Sequence, residues 1–280
     1  MALFVVSDTL MKLASDDVPA AQMLVVRGAI LGTAVLVVLW RSGLLVHVRE
    51  IGHPDAILRT LCEGAGTVAY ILSLAHIPIA TALAIHMSTP LFVLPFAAWI
   101  LGERIGALQI SAVTVGLLGV MLVLQPAAAG PDHWVLVSAT SAVLFALRDT
   151  MTRRLRASLP SMLVMAAGIA AGILAASIDV AARGWEPVSR SAWFAAAGSA
   201  VFVGFGMLFL IRSMRGADVS MVSPFRYTAI IWATASGYLV WGTLPDFWTI
   251  GGVSLICVGG LIALRLARIN AKDRAPQASD

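Results

Sequence analysis

The stretch IATALAIHMSTPLFVLPFAAWIL, residues 79–101, runs for 23 residues without a charge and carries Pro90 at its centre. An α-helix rises 1.5 Å per residue, so about 20 apolar residues are needed to cross a hydrocarbon core of roughly 30 Å. This run is long enough, and it is one of a series. Working outward, comparable stretches lie at 19–40, 56–77, 105–124, 134–152, 160–180, 193–211, 217–241 and 247–266, with a shorter one at 2–15. Connections such as Ala75-His76-Ile77-Pro78 and residues 242–246 are too short to hold a separate soluble domain. The pattern predicts an all-α integral membrane protein of ten transmembrane helices.

Composition agrees. Of the 280 residues, 59% are apolar and 12% charged, against roughly 45–50% and about 25% in soluble domains. Nineteen basic and fifteen acidic residues leave a net charge of +4, and the only lysines are Lys12 and Lys272. No basic tract is long enough to track phosphates, so nucleic acid is not expected as a partner. Cys62 and Cys257 sit inside apolar runs and read as small hydrophobes, not as a disulfide framework. There is no H-E-x-x-H, no G-x-x-x-x-G-K-[ST], no G-x-S-x-G and no G-x-G-x-x-G. No enzyme activity, cofactor or metal is expected.

Arginine and lysine concentrate in cytoplasmic loops, which orients the spans. With both termini inside, the cytoplasmic side collects Arg41, Arg49, Arg59, Arg104, Arg148, Arg153, Arg154, Arg156, Arg212, Arg215, Arg265, Arg268, Lys272 and Arg274. The outer side collects Lys12, Arg183 and Arg190, and only Arg27 and Arg226 fall well inside helices. The split of 14 to 3 supports ten spans in an inner membrane with both ends cytoplasmic.

The chain also repeats itself. Asp8-Thr9, Lys12 and Pro19 recur as Asp149-Thr150, Arg153 and Pro160 at an offset of 141, and Gly28-x-x-x-Gly32 recurs as Gly168-x-x-x-Gly172 at 140. Pro90 answers Pro224, and Gly119 answers Gly259. Five helices per half is an odd number, so the second copy enters the membrane upside down, and such inverted repeats place a site near the midplane. The organisation expected is a first five-helix repeat over 1–124, a second, inverted one over 131–266 and a cytoplasmic tail over 267–280. Only seven residues precede Asp8, so about ten residues of the first helix, some three turns at its rise per residue, are expected to be missing.

Candidate site residues follow from depth. A helical proline removes the hydrogen bond to the carbonyl four residues back: Pro90 frees that of His86, Pro95 that of Leu91 and Pro224 that of Ser220. Near mid-membrane such a carbonyl needs a partner. It either helps line a polar cavity that receives a substrate ammonium, or it is repaired by Thr89, Ser223 or a neighbouring helix. His86 is a proton carrier, a donor to substrate, or a histidine packed between helices. Arg226, flanked by Phe225 and Tyr227, holds a substrate carboxylate or an internal partner. Arg27 and Glu63 lie at comparable depths on neighbouring spans and are expected to form an ion pair, and Asp8 is expected to pair with Lys12 as Asp149 does with Arg153. Trp40, Trp134, Trp185, Trp193 and Trp248 fall at helix ends, as an interfacial belt requires. Tyr70, Tyr227, Trp99 and Trp232 are deeper, either in a pocket or facing lipid.

Pro90, then Leu101-Gly102-Glu103-Arg104, Gln109, Gly116 and Gly119-Val120, together with Arg27-Gly28, resemble the signature of the EamA-type drug/metabolite transporters. The second half departs from it, with Thr243 near the acidic position and Thr249 in place of Gln109. Within the family the chain is similar to the YddG-like aromatic amino acid exporters. The resemblance implies two inverted five-helix halves in a monomer, around a central cavity lined mainly by the first, third, fourth, sixth, eighth and ninth spans. By depth and span, the lining set is Tyr70, His86, Thr89, Pro90, Ser223, Pro224, Arg226 and Tyr227. The expected function is export of an amino acid or similar small metabolite by alternating access; a drug or nucleotide-sugar carrier, a channel and a non-transporting scaffold are the alternatives.

Overall fold

The computed structural model describes residues 1–15, 17–102, 106–124, 133–156, 158–216 and 228–274. Within them the chain is helical and contains no strand. The helices are α1 (Ala2–Ala14), α2 (Ala20–Arg41), α3 (Pro54–His76), α4 (Ile79–His86), α5 (Thr89–Leu101), α6 (Ala107–Leu124), α7 (His133–Arg154), α8 (Ser161–Arg183), α9 (Arg190–Gly216), α10 (Ala229–Trp241) and α11 (Phe247–Arg274). A 3-10 segment, Leu44–Gly52, follows α2. Among the described residues six stretches are long and apolar enough to cross a bilayer: Ala20–Arg41, Pro54–His76, Thr81–Leu101, His133–Arg154, Ser161–Arg183 and Arg190–Phe209.

The span at 79–101 breaks where proline chemistry requires it. Helix α4 ends at His86, two turn residues follow, and Pro90 stands in the first turn of α5, where a missing N–H costs no helical bond. The local carbonyls are then satisfied from within the break. Thr89 Oγ1 donates to the His86 carbonyl at 2.7 Å and Ser88 Oγ to that of Ile85 at 2.5 Å. Of the two readings of the freed His86 carbonyl, repair by Thr89 is the one formed.

Contacts fix how the helices run. Asp8 meets Tyr70 and Lys12 meets Leu74, so α1 is parallel to α3. Arg148 meets Glu63 and Trp134 stacks on His76, so α7 is antiparallel to α3 and hence to α1. Gly28 and Gly32 face Ile173 and Ile169, which sets α8 antiparallel to α2. The packing partners exchange in the same sense: α1 lies on α9 as α7 lies on α3, α2 on α9 as α8 on α3, while α2 with α8 and α6 with α11 pair directly.

The end of the bundle where α1 and α3 finish is closed. Met11, Met23, Leu74, Ile77 and Ile79 are buried there in one apolar cluster. Lys12 Nζ donates to the carbonyls of Leu74 and Ile77, both at 2.7 Å, and lies over the Trp241 ring. Gln22 clamps Glu186 through two hydrogen bonds to its backbone, at 2.7 and 3.0 Å. The expected Asp8–Lys12 pair is therefore replaced: the C-terminal carbonyls of α3, which lack helical donors, attract the ammonium, and Asp8 turns to Tyr70. The five belt tryptophans stand at or beside helix ends as expected.

Helices α6 and α11 meet at glycine. A Cβ at Gly119 would lie 2.5 Å from the Gly252 carbonyl oxygen and 2.8 Å from the Ile256 nitrogen, both rigid backbone. Such close approach is how helices associate in lipid, where apolar side chains gain nothing by leaving the solvent. Gly119→Ala is expected to destabilise the fold by about 1–3 kcal/mol through overpacking, read as a lowered unfolding midpoint of the detergent-purified protein. Gly251→Ala, where a Cβ meets nothing within 4 Å, is expected to leave the midpoint unchanged.

Candidate substrate cavity

A cavity of about 260 Å³ occupies the middle of the helical bundle. It receives Asp8 from α1, Arg27 from α2, Glu63 and Tyr70 from α3, His86 from α4, Thr89 from α5, Arg148 and Asp149 from α7, Ile169 from α8, Met207 from α9 and Ala229 from α10. The expected set of lining spans is thus widened by the second and seventh. The cause is the pair of small-residue motifs: Gly28 admits the Ile173 side chain, and Gly168 faces Glu63, so α2 and α8 close in beside the hollow. From the sealed end the lining extends toward Met1 and Met207 near the opposite end.

Three of the expected site residues meet here. Tyr70 is buried, and its Oη donates to Asp8 Oδ2 at 2.9 Å. The His86 ring lies 5.3 Å from that of Tyr70 and 5.1 Å from that of Phe145, edge-on to the latter. Together the three rings form an aromatic wall at the break between α4 and α5. Thr89 also lines the cavity, with its hydroxyl committed to the His86 carbonyl. Ser223, Pro224, Arg226 and Tyr227 lie outside the described residues, as does the side chain of Pro90. The deep tryptophan Trp99 is 82% exposed on the outer surface of the bundle; depth along a helix says nothing of which face a ring occupies, and this one faces the lipid side.

The charges arrange themselves differently from the expectation. Glu63 is held between two arginines, by Arg59 Nη2 at 2.8 Å and Arg148 Nη1 at 3.1 Å. Arg148 in turn donates to Asp149 Oδ1 from Nη2 at 2.7 Å and from Nε at 2.9 Å, and stacks on Phe145 at 4.6 Å. Arg59 also donates to the Val164 carbonyl at 3.1 Å, tying α3 to α8. The Arg27–Glu63 pair is therefore not the one formed. Arg59 stands one helical turn from Glu63 on the same face and outcompetes a partner on another helix. Two of the fourteen basic residues counted for the cytoplasmic side, Arg59 and Arg148, accordingly lie inside the bundle; the other twelve against three keep the same bias. Arg27, only 8% exposed, lines the cavity and is in no ion pair with a described residue; Asp8 is the acidic group that acts on it electrostatically. Among the described residues no three metal-binding side chains cluster.

The hollow thus combines an aromatic wall, a neutralised cluster of ion pairs, and a cation and an anion outside it. The model of the EamA-like transporter family matches residues 1–125 and 133–265. The pseudopaline exporter CntI of Pseudomonas aeruginosa (strain UCBPP-PA14) is 29% identical over 256 residues, covering 91% of this chain and 89% of that protein. The S-adenosylmethionine uptake transporter of Rickettsia prowazekii (strain Madrid E) is 26% identical over 71% of this chain and 68% of its own length. A riboflavin transporter of Rhizobium johnstonii is 28% identical over 74% and 68%. A solved structure described only as a crystal structure of a protein superposes with a TM-score of 0.67 at 22% identity, over 95% of this chain and 96% of that one; at that identity the likeness is one of fold.

Removing one member of a buried ion cluster leaves the others as uncompensated charges, at a cost of about 3–5 kcal/mol. Glu63→Gln is expected to lower stability by that order in chemical unfolding of the detergent-solubilised protein. Adding Arg59→Gln to it is expected to recover part of the loss, since one stranded cation is then removed.

Proposed function

We propose, from the premise that this chain belongs to the EamA-like transporter family and is a membrane transporter and not an enzyme, that it exports amino acids or similar small metabolites across the inner membrane by alternating access. In this reading ten helices form two inverted five-helix repeats, 1–124 and 131–266, that rock about the cavity, with the tail 267–280 and both termini in the cytoplasm. The exchange of packing partners between α1–α9 and α7–α3 supports the inverted repeat, as does the pair of separate matches to the family's model. The direction is taken from the exporter that covers 91% of the chain.

The observation that carries the proposal is a cavity among the helices whose lining joins the Tyr70–His86–Phe145 wall to Arg27 and Asp8, with Met11, Leu74 and Ile77 buried together at the end where α1 and α3 finish. A volume of about 260 Å³ falls just below the usual range of ligand pockets, about 300 to 1,000 Å³. It suits a cargo the size of an amino acid, and the Tyr70–His86–Phe145 wall suits an aromatic one. A nucleotide-sugar would need several cations free for its phosphates, and of the two described arginines in the lining Arg148 is already held in ion pairs, which leaves Arg27.

Reconstituted into proteoliposomes, the protein is expected to move labelled L-phenylalanine saturably, with uptake accelerated when unlabelled cargo is loaded inside. Flux that rises linearly with concentration and shows no such counterflow would identify a channel. No movement of any amino acid in a labelled panel would overturn the cargo.

A further inference from the structure

The acid–base inventory of the cavity divides into two parts. Arg59, Glu63, Arg148 and Asp149 form a continuous chain of hydrogen-bonded ion pairs with two charges of each sign, and so are neutral as a set. Outside that chain, Arg27 on α2 and Asp8 on α1 line the same hollow and act on each other electrostatically without forming an ion pair or joining the chain. Arg27 is more than nine-tenths buried, and none of its guanidinium donors has a hydrogen-bond partner among the described side chains or carbonyls. Tyr70 donates to Asp8 through one carboxylate oxygen, Oδ2, and thereby fixes its direction.

An unfilled guanidinium at this depth is costly unless an anion visits it. Its planar fork matches a carboxylate in two parallel bonds. A carboxylate anchored by a phenol in the same hollow matches an ammonium. We infer that Arg27 and Asp8 are the two poles of a zwitterion site, in which the cargo's α-carboxylate docks on Arg27, its α-ammonium on Asp8, and its side chain lies along the wall of Tyr70, His86 and Phe145. The inference rests on the amino acid reading above and deepens it by naming the groups that read each end of the molecule. The cargo completes an interaction that the protein leaves open, so its two charges enter an apolar bundle without a net desolvated charge. Selectivity follows: a molecule lacking either charge leaves one pole buried and unpaired, which sites built on polar contacts reject strongly.

The test uses the purified full chain in lipid nanodiscs and three probes that differ in one group each: L-phenylalanine, L-phenylalaninamide, which lacks the carboxylate, and 3-phenylpropionate, which lacks the ammonium. Wild-type protein is expected to bind L-phenylalanine at least tenfold more tightly than either analogue. Arg27→Gln is expected to weaken L-phenylalanine and 3-phenylpropionate at least tenfold while changing the amide less than twofold. Asp8→Asn, which keeps an oxygen for Tyr70, is expected to weaken L-phenylalanine and the amide and to spare 3-phenylpropionate. Arg27→Lys, retaining the charge but not the fork, is expected to fall between wild type and Arg27→Gln. Equal wild-type affinity for all three probes overturns the inference without recourse to any variant, and so does an Arg27→Gln loss that is the same for amide and acid. Wild-type protein that binds none of the probes overturns the amino acid reading itself, and the inference with it.

Discussion

Within a bilayer no water is available to solvate a buried ion, so a charge in the hydrocarbon region is costly unless it finds a counterpart. Glu63, gripped from two sides by Arg59 and Arg148, is where this chain meets that constraint. The grip joins α3 to α7, and the Arg59 bond to the Val164 carbonyl brings in α8. Glycine makes it possible. A Cβ at Gly168 would sit 2.8 Å from Glu63 Cγ, and one at Gly64 would run into the backbone of Ala171 at 2.8 Å, so neither position has room for a side chain as packed. The three helices therefore come together through a polar knot whose members need one another, and the cavity forms along its edge.

That knot also sets the polarity of the hollow. Its four charges cancel as a set, Arg27 and Asp8 line the cavity outside it, and the aromatic wall supplies apolar surface beside them. The carbonyl of His86, released by the interruption at Pro90, is taken by Thr89 before any ligand arrives. The break in the fourth span thus serves shape more than ligation: it turns the His86 ring in between Tyr70 and Phe145. At the sealed end Lys12 applies the same economy, capping the last carbonyls of α3 where the helix has no donors left.

Much of this is legible in the sequence, and what is not has a physical reason. The apolar spans follow from hydropathy alone, the interruption in residues 79–101 from proline's missing donor, and its repair by Thr89 from the short reach of a threonine one residue before that proline. Tyr70, His86 and Thr89 are reached by depth and span, and the structure brings all three to one cavity. Arg148 is the residue that sequence reasoning misses. It stands just before Arg153, Arg154 and Arg156 and reads as one more cation of a cytoplasmic cluster, although the adjacent Asp149 and its place on the inner side of Phe145 turn it inward. The partner of Glu63 was open to helical periodicity, since Arg59 lies four residues before it, but comparable depth pointed to Arg27 instead. Depth orders residues along the membrane normal and is silent about the azimuth around each helix, which is what decides Arg27, Glu63 and Trp99 alike.

The central claim is that one hollow between oppositely inserted halves is reached in turn from each face of the membrane. Thr67, on α3 inside the cavity, is a neutral place to ask. With Cys62 and Cys257 replaced and a single Thr67→Cys introduced, labelling by a membrane-impermeant thiol reagent is followed in right-side-out and inside-out vesicles, with and without cargo. The account predicts reaction from both faces during turnover, slowed from both by saturating cargo. A cysteine at this position that reacts from one face only, or from neither, contradicts it.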